Sequence, residues 1–166
     1  MEEDIVIEKQ PEGSQTKKKI YVIVILVVLL VLSDQLLKIF IPNFIQNGTK
    51  EIIPNLFNLT YAKNTGGAFS FAQNNLFVIV LTNIVILGIA IKFISAQISR
   101  VDVVTRISLC MIIAGGMGNL IDRVFRGFVI DYLDFTPLIS FPIFNLADIY
   151  VVIRMGNVCY INNKNM

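Results

Sequence analysis

Residues 20–41 form a predominantly apolar run of 22 residues. At about 1.5 Å of rise per helical residue, that length crosses the ~30 Å hydrocarbon core of a bilayer. Inside lipid, each backbone group must find its partner within the segment, as a helix allows. The run is longer than a signal-peptide core and no small-x-small cleavage site follows, so a retained span is expected. Three further runs, 76–94, 103–121 and about 144–161, repeat the pattern. Overall, 55% of side chains are hydrophobic and 16% charged, against about 25% charged in a soluble domain. The expected fold is an all-α membrane protein, a four-transmembrane-helix bundle. Residues 1–19 are polar and of mixed charge and read as a mobile cytoplasmic tail, with 20–163 as a single membrane-embedded domain.

Four spans put both termini on one side. Lys17, Lys18 and Lys19 before the first span, and Lys92, Arg100 and Arg106 around the next turn, place that side in the cytoplasm by the positive-inside rule. In the fourth run Arg154 and Asn157 interrupt the apolar pattern, and Arg154 lies ~15 Å along the helix from Phe144. Between the first two spans, Phe57, Leu59 and Tyr61 alternate with Asn58 and Thr60, the period of a half-buried strand. Pro54-Asn55 supplies a turn before it. A small antiparallel β-sheet on the extracytoplasmic membrane surface is the expectation.

Some chemistries fall away. The chain contains no histidine, which removes His-dependent nucleophile systems and His-containing zinc sites. Cys110 and Cys159 lie inside apolar runs without CxxC spacing and read as buried thiols. A net charge of +2, with no basic patch interleaved with aromatics, does not suggest nucleic acid. No cofactor or metal is called for, and a monomer is expected.

Polarity is concentrated where it is costly. Residues 118–134 hold three acids, two arginines and an asparagine within 17 positions, directly after an apolar run. Asp148 opens the next run. Ionisable groups at membrane depth mark functional sites by default. Asp34 and Lys38, four apart on a helix, can pair on one face. Asn64-Thr65-Gly66-Gly67-Ala68-Phe69 is a glycine loop ahead of the second span, and Ala114-xxx-Gly118 has the spacing that lets helices approach closely. Asp122 and Arg123 at the exit of the third span have cap or interface roles by default, and with Asn119, three residues earlier on a shared face, the trio reads as a scaffold of the site. Asp131 and Asp148 each have apolar neighbours on both sides. Brought together, two such carboxyls cannot both ionise easily and share a proton, the requirement of an aspartic protease. Taken alone, either acid also suits a structural partner or an ion pathway.

Four ordered blocks, Asp34-Gln35-Leu36-Leu37-Lys38, Asn64 to Ser70, Gly118 to Asp131 and Phe141 to Asp148, together resemble the lipoprotein signal peptidases (signal peptidase II), over about residues 20–155. The resemblance implies a four-helix bundle with an extracytoplasmic β-cradle in the bacterial cytoplasmic membrane. Members cut prolipoproteins, whose partners here are the lipid-modified signal peptides and membrane lipids, just before a diacylglyceryl-modified cysteine, and are blocked by the cyclic peptide globomycin. The family's catalytic dyad falls on Asp131 and Asp148. Its supporting positions fall on Asp34, Lys38, Asn64, Gly67, Ala68, Asn119, Asp122, Arg123, Asn145 and Ala147. The chain departs from the family at Arg154 and at the Gly156-Asn157 step, and in its charged amino-terminal extension. Three alternatives remain. One is a magnesium or manganese hydrolase using Asp122, Asp131, Asp134 and Asp148. Another is a small transporter subunit with Asp34 and Asp148 on a proton path. The third, a presenilin-type protease, is discounted, because it needs Gly-x-Gly-Asp where this chain has Gly116-Met117-Gly118-Asn119.

Overall fold

The computed structural model describes residues 12–46, 48–67, 75–98 and 100–152. Three helices among them are long and apolar enough to cross a membrane: α1 (Glu12–Phe44), α2 (Leu76–Gln97) and α3 (Val103–Arg126). The first begins at Glu12, inside the stretch expected to be a tail, because Lys17, Lys18 and Lys19 favour helix as readily as the apolar residues that follow. Residues 1–11 lie outside the described residues. Side-chain caps start the other two, Asn75 accepting from Val78 N at 3.2 Å and Asp102 from Val104 N at 3.1 Å. The third helix runs five residues past the expected 121 and stops at Gly127, whose φ of 81° closes the last turn through a bond to Arg123 O.

Helix α3 is the middle one, packed against α1 on one side and α2 on the other. The shared core joins Val27 and Val31, Leu87 and Ile94, and Cys110, Ile113 and Ala114. Cys110 is 1% exposed, as a buried thiol requires, while Cys159 lies outside the described residues. Much of the outward surface of α1 and α2 is apolar and exposed, for example Leu29, Leu36, Ile86 and Ile89. This is what a helix facing lipid presents.

Strands β1 (Thr49–Ile53), β2 (Phe57–Asn64) and β3 (Val129–Asp134) form an antiparallel sheet in the order β1-β2-β3. The turn between the first two passes through Asn55 at φ 59°, a conformation asparagine tolerates better than most. Burial along β2 does not alternate: residues 57–62 are all half-buried. Leu59 and Tyr61 pack on a second cluster of Ile41, Ile45, Ile130 and Tyr132, while Thr60 on the other face bonds Asp134 at 2.7 Å. Between β2 and β3 the register slips, Leu59 facing Leu133 but Ala62 facing Asp131. One extra residue on β2 bends the sheet beside Asp131.

After β3 the chain loops and returns at Phe144, which bridges Leu133, and residues 146–152 are helical. Arg154, Asn157 and the remainder of the fourth expected span lie outside the described residues. This helix packs close to α3. A Cβ at Gly115 would stand 2.4 Å from Ala147 O, and one at Gly118 2.5 Å from an Asp34 carboxylate oxygen. Only glycine permits either approach.

Candidate active site

The sheet stands at the end of the bundle where α1 stops and α3 hands over to β3. There, a cavity of about 740 Å³ opens among the loop after β2, the end of α3, β3 and the segment 141–152. Asp131 and Asp148 both line it, with Asn64, Gly67, Asn119 and Arg123.

Asp131 comes from the middle of β3 and is 2% exposed. Its Oδ2 accepts from Asn64 Nδ2 at 2.9 Å and its Oδ1 from Asn145 Nδ2 at 2.6 Å. Burial, reinforced by the nearby charge of Asp148, pushes the Asp131 carboxyl up to about 7 against the pull of those two amides.

Asp148 is held by the start of its own helix. Asn145 Oδ1 accepts from Asp148 N at 3.1 Å, and Asp148 Oδ2 accepts from Asn145 N at 3.1 Å. This is a reciprocal capping box, N-cap to third residue. Asn119 Nδ2 donates to the remaining oxygen at 2.8 Å. Asn145 also donates to Asn119 Oδ1 at 3.2 Å. Asn145 thus touches both carboxylates, Asp131 through its side-chain amide and Asp148 through its backbone N–H, and its side chain also bonds the residue that orients Asp148. All four carboxylate oxygens accept an amide N–H.

Behind this layer lies a second one, closed to solvent. Asp34, Lys38 and Asp122 are each 0% exposed. Lys38 Nζ meets Asp34 Oδ2 at 2.9 Å, Asp122 Oδ2 at 3.0 Å and Asn119 Oδ1 at 2.9 Å, using its three donors. Asp34 Oδ1 accepts from Ala147 N at 3.0 Å, and Asp122 Oδ2 from Ile130 N at 3.2 Å. One buried lysine therefore ties together α1, α3, β3 and the helix carrying Asp148.

Asp122 and Arg123 lie in the closing turns of α3 but serve different layers of the site. The helix continues past them, and adjacent residues on a helix point in different directions. Asp122 faces Lys38 and Arg126. Arg123 turns to the cavity side, its Nη1 on Asn119 O at 3.2 Å and its Nη2 on Gly66 O at 2.9 Å. Asn64 Oδ1 accepts from Gly66 N at 2.9 Å, so the glycine loop is pinned at both faces of one residue. Ala147 is 0% exposed against α3. Ala68 lies outside the described residues.

Three contributors were not singled out from the sequence. Gln35 donates to Asp34, Gly118 O and Asp122. Arg126 reaches Gln35 and Asp122, and its spacing of four from Asp122 is the same signal that marked Asp34 and Lys38. Tyr132, 1% exposed, accepts from Leu146 N through its hydroxyl at 3.2 Å, and no motif announces it. Among the described residues no three acidic or thiol side chains gather as a metal site would require. Asp122 is committed to cations, and Asp134 to Thr60 and Thr136.

Comparison with known proteins gives a consistent picture. Residues 26–162 match the family model for signal peptidase (SPase) II. A lipoprotein signal peptidase of Streptococcus agalactiae is 43% identical over 141 residues, covering 83% of this chain and 88% of the relative. One from Clostridioides difficile is 36% identical over 137 residues, covering 82% and 90%. A solved bacterial membrane enzyme superposes with a TM-score of 0.78 at 26% identity, covering 88% of this chain and 90% of that one. The fold, the ordered motifs and these relatives converge on one statement: the chain belongs to the signal peptidase II family of membrane proteases.

Proposed function

We propose that this chain is an aspartic endopeptidase that removes the signal peptide from diacylglyceryl-modified bacterial prolipoproteins, cutting before the lipid-bearing cysteine. The observation that carries the reading is that Asp131 and Asp148 line one cavity and are joined through Asn145 and Asn119. Asp131, whose carboxyl holds its proton up to about 7, enters as the acid and polarises the scissile carbonyl. Asp148 takes a proton from water, and the oxygen attacks the carbonyl carbon to give a tetrahedral intermediate. Return of a proton to the amide nitrogen releases the lipidated amine and leaves the signal peptide as a carboxylic acid. The supporting residues act through position: Asn64, Asn119 and Asn145 orient the dyad, Arg123 with Gly67 and its neighbours shapes the loop wall, and Asp34, Lys38, Asp122 and Ala147 lock the helices behind it. In the bilayer the bundle has four spans and both termini in the cytoplasm, with the sheet and dyad at the extracytoplasmic face, acting as a monomer.

Purified protein is expected to cleave a diacylglyceryl-modified prolipoprotein peptide, with strong loss when the lipid is omitted and inhibition by globomycin. Equal cleavage of the unlipidated peptide would remove the substrate class. The pH profile carries a second expectation. A group whose pKa is raised keeps its proton below that value, so Asp131 is protonated below about 7. As pH rises through that point Asp131 ionises, and turnover falls about tenfold per pH unit. A flat rate from pH 7 to 9 contradicts the acid role of Asp131.

A further inference from the structure

Between Asp134 and Asp148 the chain has no charged residue. In that stretch Leu138, Ile139 and Phe141 are 58%, 53% and 45% exposed. One exposed leucine needs no explanation, but three large apolar side chains within four positions on a loop do. The loop is firmly built. Leu138 N and Ile139 N both donate to Phe135 O at 3.0 Å, and Phe141 N donates to Ile139 O at 2.8 Å. Phe135 lies 4.8 Å from Phe57 and 5.9 Å from Phe144 between ring centroids, and Phe141 meets Phe144 edge-on at 5.6 Å. This aromatic base is also cavity wall: Phe141, Pro142, Ile143 and Phe144 line the space that holds Asp131 and Asp148. The helix bearing Asp148 adds Ile149, Val151 and Val152, the last 66% exposed.

We propose that Leu138, Ile139, Phe141 and Val152 form a lip that receives the acyl chains of the substrate's lipid-modified cysteine, while the cavity holds the peptide around the scissile bond. This rests on the peptidase reading above and places that substrate's lipid. A cavity of about 740 Å³ suits one drug-sized ligand. An acyl chain spanning one leaflet is ~15 Å long, so two of them cannot share the cavity with a peptide. The lipid is attached to the residue just after the cleaved bond, so its chains leave beside the dyad. Hydrocarbon follows an uncharged apolar route, and this lip is continuous with the wall at the two carboxyls. That continuity selects the substrate's own chains over bulk lipid as occupant.

The chain contains no tryptophan, so Leu138→Trp supplies a single indole at the lip, excited selectively over the tyrosines. The full-length variant in phospholipid nanodiscs is titrated with a diacylglyceryl peptide carrying brominated acyl chains. Quenching is expected to saturate stoichiometrically and to be reversed by the unbrominated lipopeptide. Equal quenching by the same mole fraction of brominated phospholipid, with no reversal by lipopeptide, overturns the proposal. In a second arm Ile139→Asn raises KM about tenfold for a long-chain substrate and leaves a short-chain one unchanged; equal shifts for both overturn it as well. Cleavage of the unbrominated lipopeptide by the unaltered enzyme is followed alongside. Absence of that cleavage sinks the peptidase reading, whereas cleavage without displaceable quenching sinks the lip alone.

Discussion

Replacing either Asp131 or Asp148 by asparagine lowers turnover of the lipopeptide by roughly ten-thousandfold, the upper range of what a positioned acid or base contributes. Asparagine keeps the volume and one acceptor oxygen but can neither hold nor take the shared proton. At position 131 the new amide nitrogen would face a donor, Asn64 or Asn145, and a buried N–H left without its acceptor costs about 1–3 kcal/mol, less than a domain's usual stability. The variant therefore folds, and circular dichroism with a thermal melt checks that it does. The two residues act as one unit, so the double variant is no slower than the worse single one. Near-normal turnover by either single variant removes the dyad assignment.

The second large effect is on stability. Lys38→Met destabilises the protein by about 3–5 kcal/mol, the scale for breaking a buried ion pair by deleting one partner. Lys38 is 0% exposed and is the shared cation of Asp34 and Asp122. Without it, Asp34 has no cation among the described residues, since of the two acids Arg126 pairs with Asp122. Adding Asp34→Asn to Lys38→Met removes the orphaned charge while keeping an acceptor for Ala147 N, so the double variant recovers much of the loss. Denaturant titration in detergent measures both. If the single variant is as stable as the parent, the buried cluster is not what clamps α1 to α3.

What could be read from the sequence followed a physical dividing line. The three described spans were visible because lipid demands long apolar runs, and the Asp34–Lys38 pair because helical spacing is local. Helix ends were harder. Hydropathy reports where hydrocarbon ends, not where hydrogen bonding ends, so α1 starts earlier and α3 stops later than the apolar runs. Gly127 carries the stop signal for α3, six residues beyond the expected end at 121, where the apolar pattern gives no sign of it. The site's long-range wiring was not legible. That Lys38 meets Asp122, or that Tyr132 steadies Leu146 N, depends on packing between elements, which no local spacing encodes. The Asn145–Asp148 capping box could have been found from its spacing of three, had the asparagine been tried as an N-cap.

The asparagines around the dyad have a further meaning. Asn64, Asn119 and Asn145 grip the carboxylate oxygens of Asp131 and Asp148 through carboxamides, and a carboxamide neither gains nor sheds a proton between mild acid and mild base. On the proposed orientation the site faces the outside of the cell, where it meets whatever acidity the surroundings impose, without a buffered interior to shield it. On that reading the grip stays constant while the medium drifts, and acidity is sensed at the carboxyl of Asp131 itself.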